Sequence, residues 1–323
     1  MKKLLKKSLA LLVVFTLCLG VVACGGQKSE EPSAGGEAKG EKVKIGVSIA
    51  NFDDTFLTYM MDGMKEYAEA HKNEIDIEFV DAKEDMAKQM DQVENFIVQQ
   101  KDAIVVVPVD TSATDPITST ATKEGIKLVY VNRKPANLPE GTYYVGSEEI
   151  VAGRLQMEFL AEALEEKGKV AILMGKLDNE GALKRTEGNE EIAGKFDGIE
   201  IVDKQTGLWQ RSEGMAKTED WLNRFGNDLK AIASNNDDMA LGAIQALKDA
   251  GRQDILVVGV DATPDGLAAL EAGDLAATVF QDAAGQGGGS VEVAFKAAKG
   301  ESIETETWIP FKLVTPENIG DFK

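Results

Sequence analysis

Apolar positions alternate between two spacings along this chain. Residues 43–50 (VKIGVSIA) form a nearly unbroken apolar run, as in a strand buried on both faces. Phe56, Leu57, Met60, Met61, Met64, Tyr67 and Ala68 then recur three and four apart, as on one helix face. The pair repeats with a strand at 75–80 and a helix marked by Met86, Met90, Val93 and Ile97. A strand at 103–107, a helix at 116–124 and a strand at 127–131 follow. After YYVG at 143–146 the alternation restarts with a helix over about 150–167. Strands follow near 170–174, 199–204, 231–234, 255–260 and 276–280, with helices between them, the clearest at 239–247, and a last helix over about 289–299. No segment repeats in sequence. Strand–helix alternation predicts a parallel sheet covered on both faces, and two successive runs predict two doubly wound, Rossmann-like α/β lobes.

In open parallel sheets, ligands bind outside the carboxyl ends of the strands. Asp54 and Phe56 follow the first strand, Asn132 and Arg133 the fourth, and Asn236, Asp261 and Gln281 follow strands of the second run. Each polar residue alone is explained as a helix cap or a turn. Together they place carboxylates, amides and a guanidinium at one kind of location, the mouth of a crevice.

Composition narrows the classes. Lys2, Lys3, Lys6 and Lys7 precede an apolar run at 9–22, the charged start and hydrophobic middle of a secretory leader. The run is short for a membrane-spanning helix, which needs roughly 20 residues. VVAC at 21–24 resembles the lipobox of bacterial lipoproteins, which implies cleavage before Cys24 and lipidation of its thiol. Two or more acyl chains give stable anchoring. Residues 1–23 are therefore expected as signal peptide, and 24–41 as lipidated Cys plus a disordered Gly/Ser/Glu/Lys linker. The net charge is −20, and removing the four leader lysines makes it −24, which leaves no basic nucleic-acid footprint. The only other cysteine, Cys18, leaves with the leader, so no disulfide is expected. His71 is the only histidine and reads as a solvated helix-end residue; a zinc site lacks other nitrogen or sulfur ligands, and a Ser-His-Asp or Cys-His pair is hard to assemble.

The body resembles the periplasmic sugar-binding proteins of ABC importers, the type I class that includes ribose- and galactose/glucose-binding members, and it is nearest in pattern to the latter. The resemblance rests on FDDTF at 52–56, VNRKP at 131–135, YYVG at 143–146, LMG at 173–175, RT at 185–186 and LW at 208–209. It continues through DWL at 220–222, NNDDMALGAIQALK at 235–248, GVDATPDGLAAL at 259–270 and GDLAATVFQD at 273–282. It implies discontinuous lobes, 42–147 plus 282–308 and 148–281 plus 309–323, joined by a three-segment hinge. It also implies that Asp54 and Asn132 bind hydroxyls from the first lobe, and Arg185, Asn236 and Asp261 from the second. Phe56 and Trp209 would sandwich the sugar ring, Gln281 would sit at the hinge, and Arg133 matches the ribose-type pattern. A mixed donor–acceptor set satisfies hydroxyls, and aromatic planes suit the C–H faces of a ring.

Two positions depart from the galactose/glucose pattern. A His and an Asp that bind sugar there are Asn179 and Gly181 here; Asn179 remains a candidate to hydrogen-bond the sugar, whereas Gly181 has no side chain to do so. The calcium loop of that pattern is also missing: 165–169 reads EEKGK, which cannot supply six to eight oxygens. GQGGG at 285–289 lacks the order and the lysine of a phosphate loop and reads as a flexible or capped start to the last helix. The resemblance implies no cofactor, no metal and no catalysis. Asp54 and Asp261 have the residue types of a glycosidase pair, but Arg and Asn neighbours are expected to keep both ionised. The expected function is hinge-closing capture of a monosaccharide, galactose or glucose first, then ribose, xylose or another sugar. Delivery would be to a permease with its ATPase, at the outer face of the cytoplasmic membrane if the cell is Gram-positive. A chemoreceptor or sensor kinase is the alternative reader of the closed form. The protein is expected to be a monomer.

Overall fold

The structure, a computed structural model, describes residues 41–322. The expected leader, Cys24 and nearly all of the linker lie outside the described residues. Strands and helices alternate as β1 (Val43–Ile49), α1 (Thr55–Ala70), β2 (Ile75–Asp81), α2 (Met86–Val98), β3 (Ala103–Val106), α3 (Asp115–Lys123), β4 (Lys127–Val131) and β5 (Thr142–Gly146). They continue as α4 (Glu149–Ala163), β6 (Lys167–Met174), α5 (Glu180–Ala193), β7 (Gly198–Thr206), α6 (Arg211–Phe225), β8 (Leu229–Ser234) and α7 (Asp237–Asp249). The last elements are β9 (Leu256–Val258), α8 (Pro264–Glu271), β10 (Thr278–Phe280), α9 (Ala283–Ala298), β11 (Glu306–Trp308) and β12 (Lys312–Val314).

Six strands form one parallel sheet in the order β11-β5-β4-β3-β1-β2, and four form a second in the order β7-β6-β8-β9. The strand order reverses between β1 and β3 in the first sheet and between β6 and β8 in the second. Such reversals are where crevices open at strand ends. The chain passes from one sheet to the other after β5, between β10 and α9, and between β11 and β12.

The unbroken apolar runs are explained by helices on both faces. In the first sheet, Val47, Val105 and Val129 pack under α1 and α9, against Met60, Met64, Val291 and Ala294. Alternate residues Ile104, Val106 and Leu128 point the other way, to Val93 and Phe96 of α2 and Ile117 of α3. The second sheet repeats this. Leu173 and Ile232 meet Trp221 and Ala240 on one side, while Val170 and Ala231 meet Met157, Leu160 and Ile192 on the other.

The structure corrects several expectations. The last helix starts at Ala283 rather than Gly289, capped by Asp282, whose Oδ1 accepts the Gly285 N–H at 2.7 Å. The glycine run lies inside the helix because it packs backbone to backbone on α1: a Cβ on Gly287 would lie 2.0 Å from the Met60 carbonyl oxygen. The expected strand at 276–280 is shortened to β10, which pairs antiparallel with β12, a strand not anticipated from sequence. Single bridges, Val258 to Ala277 and Asp261 to Phe280, tie this ribbon to the β9 side of the second sheet. His71 is half-buried, not solvated. It stacks on Tyr67 with ring centroids 4.2 Å apart, and its Nδ1 lies 2.9 Å from the Tyr67 carbonyl oxygen.

The α4–α5 contact holds a site element in place. A Cβ on Gly153 would lie 1.9 Å from the Arg185 carbonyl oxygen, which cannot move aside without shifting α5. Gly153→Ala is therefore expected to destabilise the protein by about 1–3 kcal/mol. Thermal unfolding would read this as a fall in Tm, with ligand affinity falling alongside.

Candidate functional site

A cavity lies between the strand ends of the two sheets, with about 430 Å³ of empty space that is partly open to solvent. Asp54, Phe56, Leu57, Asn132 and Arg133 line it from the first sheet's side. Glu149, Asn179, Gly181, Arg185, Trp209, Asn236 and Asp261 line it from the second, and Gln281 lies where the chain crosses. Every sugar-contacting candidate named from the sequence is on this wall. Glu149 was missed. It begins α4 after β5, a strand the apolar pattern did not mark, so it reads in sequence as an exposed first-turn acid. Its position two residues after Gly146-Ser147 was the only available signal.

Capping and cavity lining are combined in the same side chains. Asp54 caps α1, its Oδ1 accepting the Leu57 N–H at 3.0 Å, while its Oδ2 lies 3.7 Å from Arg133 Nη2. Asn236 caps α7, accepting the Met239 N–H at 3.0 Å. Arg133 Nη1 donates to the Pro108 carbonyl at 3.0 Å, which fixes the guanidinium across the end of β3. Asn132, with φ of 66°, donates to Gln286 of α9 at 3.1 Å.

Arg185 is the hub of the second side. Its Nε donates to Glu149 Oε2 at 2.6 Å, Nη1 to the Asn235 carbonyl at 2.6 Å and Nη2 to Gln281 Oε1 at 2.8 Å. Asp261 Oδ1 lies 3.9 Å from its Nη1. One buried guanidinium thus joins α4, α5, the β8 end and the crossing segment. Asn179 accepts the Trp209 indole N–H at 2.9 Å and donates to the Val109 carbonyl and Asp178 Oδ1, both at 3.1 Å. Both of its amide donors are used, so it orients the indole.

Burial dominates the electrostatics, contrary to expectation. It raises the carboxyl groups of Asp54, Glu149 and Asp261 above the usual range, Asp261 well above. Arg133 pulls against this at Asp54, and Arg185 at Glu149 and Asp261. Asp261 is lifted further by the charges of Asp237, Asp54 and Glu149. The guanidinium neighbours expected to keep Asp54 and Asp261 fully ionised do not outweigh the loss of water.

The two sides touch around the cavity. Thr55 donates to Asp238 at 2.6 Å, Lys176 pairs with Glu84 at 2.7 Å, and Thr111 N–H donates to the Asp178 carbonyl at 3.0 Å. The structure is therefore a closed form. Among the described residues, no cluster of three or more His, Cys, Asp or Glu is placed to hold a metal ion, and no helix is long and apolar enough to cross a membrane.

Two doubly wound sheets meeting around a polar cavity at their strand ends have the form of a solute-binding protein. The chain belongs to the periplasmic binding protein domain family, which matches residues 45–302. It is 46% identical over 86% of its length, and 92% of the relative's, to a Rhizobium meliloti protein named for rhizopine binding. It is 33% identical over 93% of its length, and 83% of the relative's, to a xylitol-binding protein of Mycolicibacterium smegmatis. Among solved structures, an ABC transporter solute-binding protein from Bacillus halodurans with bound myo-inositol is 46% identical. It superposes with a TM-score of 0.84 over 88% of this chain and 98% of that one. The chain is thus a solute-binding protein of the periplasmic class rather than an enzyme.

Proposed function

We propose that the ligand is a cyclic polyol of the inositol class, captured in the cavity between the sheets and delivered to a membrane permease. The observation that carries this reading is the state of the two departing positions. Gly181 has no side chain, and the Asn179 donors are consumed by Val109 and Asp178. The two groups through which the galactose/glucose pattern reads a pyranose are therefore not offered, and galactose or glucose becomes the weaker reading. The myo-inositol bound in the 46% identical structure supports the cyclic choice, and the xylitol named for another relative supports a polyol in general.

The chemistry fits. Each inositol hydroxyl both donates and accepts. Asp54 and Asp261 accept hydroxyl protons, while Arg133, Arg185, Asn132, Asn236 and Gln281 surround the remaining oxygens. Phe56 and Trp209 cover the two C–H faces. Asn179 is assigned to holding Trp209 rather than to reading the ligand. Closure over the ligand is a hinge motion about the three crossing segments. Tethering through a lipid on Cys24 completes the proposal.

A ligand present at a hundred times its Kd stabilises the fold by about 2.7 kcal/mol. Thermal unfolding with myo-inositol, scyllo-inositol, xylitol, ribose, allose and galactose is expected to show the largest Tm rise with an inositol. The largest rise with galactose, and none with inositols, would return the ligand to the pyranose class.

A further inference from the structure

One buried acid is left unused by the ligand site as described. Asp237 opens α7 directly after the cavity residue Asn236, is fully buried, and does not line the cavity. Its Oδ2 accepts the Thr263 N–H at 2.8 Å and the Thr263 hydroxyl at 3.2 Å, and its Oδ1 accepts the Thr278 hydroxyl at 2.7 Å. The Thr278 oxygen in turn accepts the Ala262 N–H at 3.2 Å. These bonds grip the turn that carries Asp261. The turn needs gripping, because Asp261 has φ of 118° and Ala262 of 54°, both in the region that favours glycine. The surroundings leave room for this carboxylate and little else: a Cβ on Gly259 would lie 2.2 Å from Oδ1, and one on Gly266 2.1 Å from Oδ2.

We propose that Asp237 is a positioning residue, which holds the Asp261–Thr263 turn in its strained form and sets a second buried carboxylate beside that of Asp261. A neutral side chain would suffice to hold a turn. Here all three donors to Asp237 are neutral, so its charge is not cancelled by a contacting cation. Burial raises the Asp237 carboxyl to about 7 and the donors from Thr278 and Thr263 pull against this, so it carries charge above neutral pH. Asp261 also faces Arg185 of α5, Glu149 of α4 and Asp54 before α1, all of which line the cavity, whereas Asp237 does not. This inference builds on the assignment of Asp261 as a ligand acceptor, but its test needs no ligand.

The test is the pH titration of the Asp261 side-chain carbon by NMR in aspartate-labelled protein, with the resonance assigned by its loss in Asp261→Asn. In Asp237→Asn, which keeps the shape, the Asp261 proton affinity is expected to fall about tenfold. In Thr278→Val, which removes one donor and so weakens ionisation of Asp237, a smaller fall in the same direction is expected, and this variant decides the matter if Asp237→Asn does not fold. A folded variant with lowered Tm and an unmoved Asp261 titration would reduce Asp237 to a structural role and overturn the proposal. Failure of the inositol reading would leave this titration unchanged.

Discussion

Arg185→Met is expected to abolish ligand binding and to cost the fold about 3–5 kcal/mol, because it strands a buried carboxylate. Glu149 is 3% exposed and holds its strongest bond, 2.6 Å, with the Arg185 Nε. Without the guanidinium, Glu149 keeps only the long 3.5 Å bond from the Gln281 amide, Gln281 Oε1 loses its donor, and so does the Asn235 carbonyl. The double variant Arg185→Met, Glu149→Gln separates the two effects. Replacing both members of a buried pair is often close to neutral for stability, so most of the lost Tm is expected to return while binding stays absent. Denaturant unfolding of the single and double variants checks the first claim and calorimetric titration the second. Normal binding by either variant would remove Arg185 from the site.

Asp261→Asn is expected to weaken binding by about 10–100-fold, the worth of one charge-assisted hydrogen bond, while raising stability at pH 8. The sign follows from the raised carboxyl of Asp261. Below the ordinary carboxylate value of about 4, folded and unfolded chains are both protonated at this residue. As pH rises through the interval up to the raised folded value, the unfolded chain ionises first and the ligand-free fold loses stability. The Asn variant carries no such loss. Its Tm advantage over wild type is expected to be clear at pH 8 and to vanish near pH 4. Asn also tolerates positive φ better than most residues, so the turn should persist. A variant less stable at pH 8 would mean that the ionised carboxylate stabilises the turn. By the same linkage, a hydroxyl donated to Asp261 favours its charged form, so ligand affinity is expected to weaken as the solution is acidified through the raised value.

The sequence showed most of the architecture because its buried strands are long and apolar. Residues 43–50 and 103–107 could hardly be anything but strands between two helix layers, and the polar residues just past such runs are visible by position. Asp54, Asn236 and Asp261 were found in this way. What stayed hidden depends on contacts across long stretches of chain. β11 and β12 are three residues each, too short for a period, and are set by pairing with β5 and β10. Glu149 enters the cavity only because Arg185, 36 positions later, draws it in. Asn179 could be placed at the site from its neighbours, but the partners that occupy its amide, Val109 and Trp209, are 70 and 30 residues away. The glycines at 285–289 read as a flexible or capped start to the last helix; Asp282 supplies the cap, and the close approach of Gly287 to α1 makes this turn a packing surface. The protonation bias of Asp54 and Asp261 was misjudged because adjacent residue types say nothing of how much water is lost.

The most direct test of the central claim is isothermal titration of the compact body, residues 40–323, with myo-inositol after unfolding and refolding to strip any carried ligand. One-to-one binding with Kd of about 1 μM or tighter, corresponding to about −8 kcal/mol, is the expected result. A folded protein that gives no heat with myo-inositol and binds galactose tightly would contradict it.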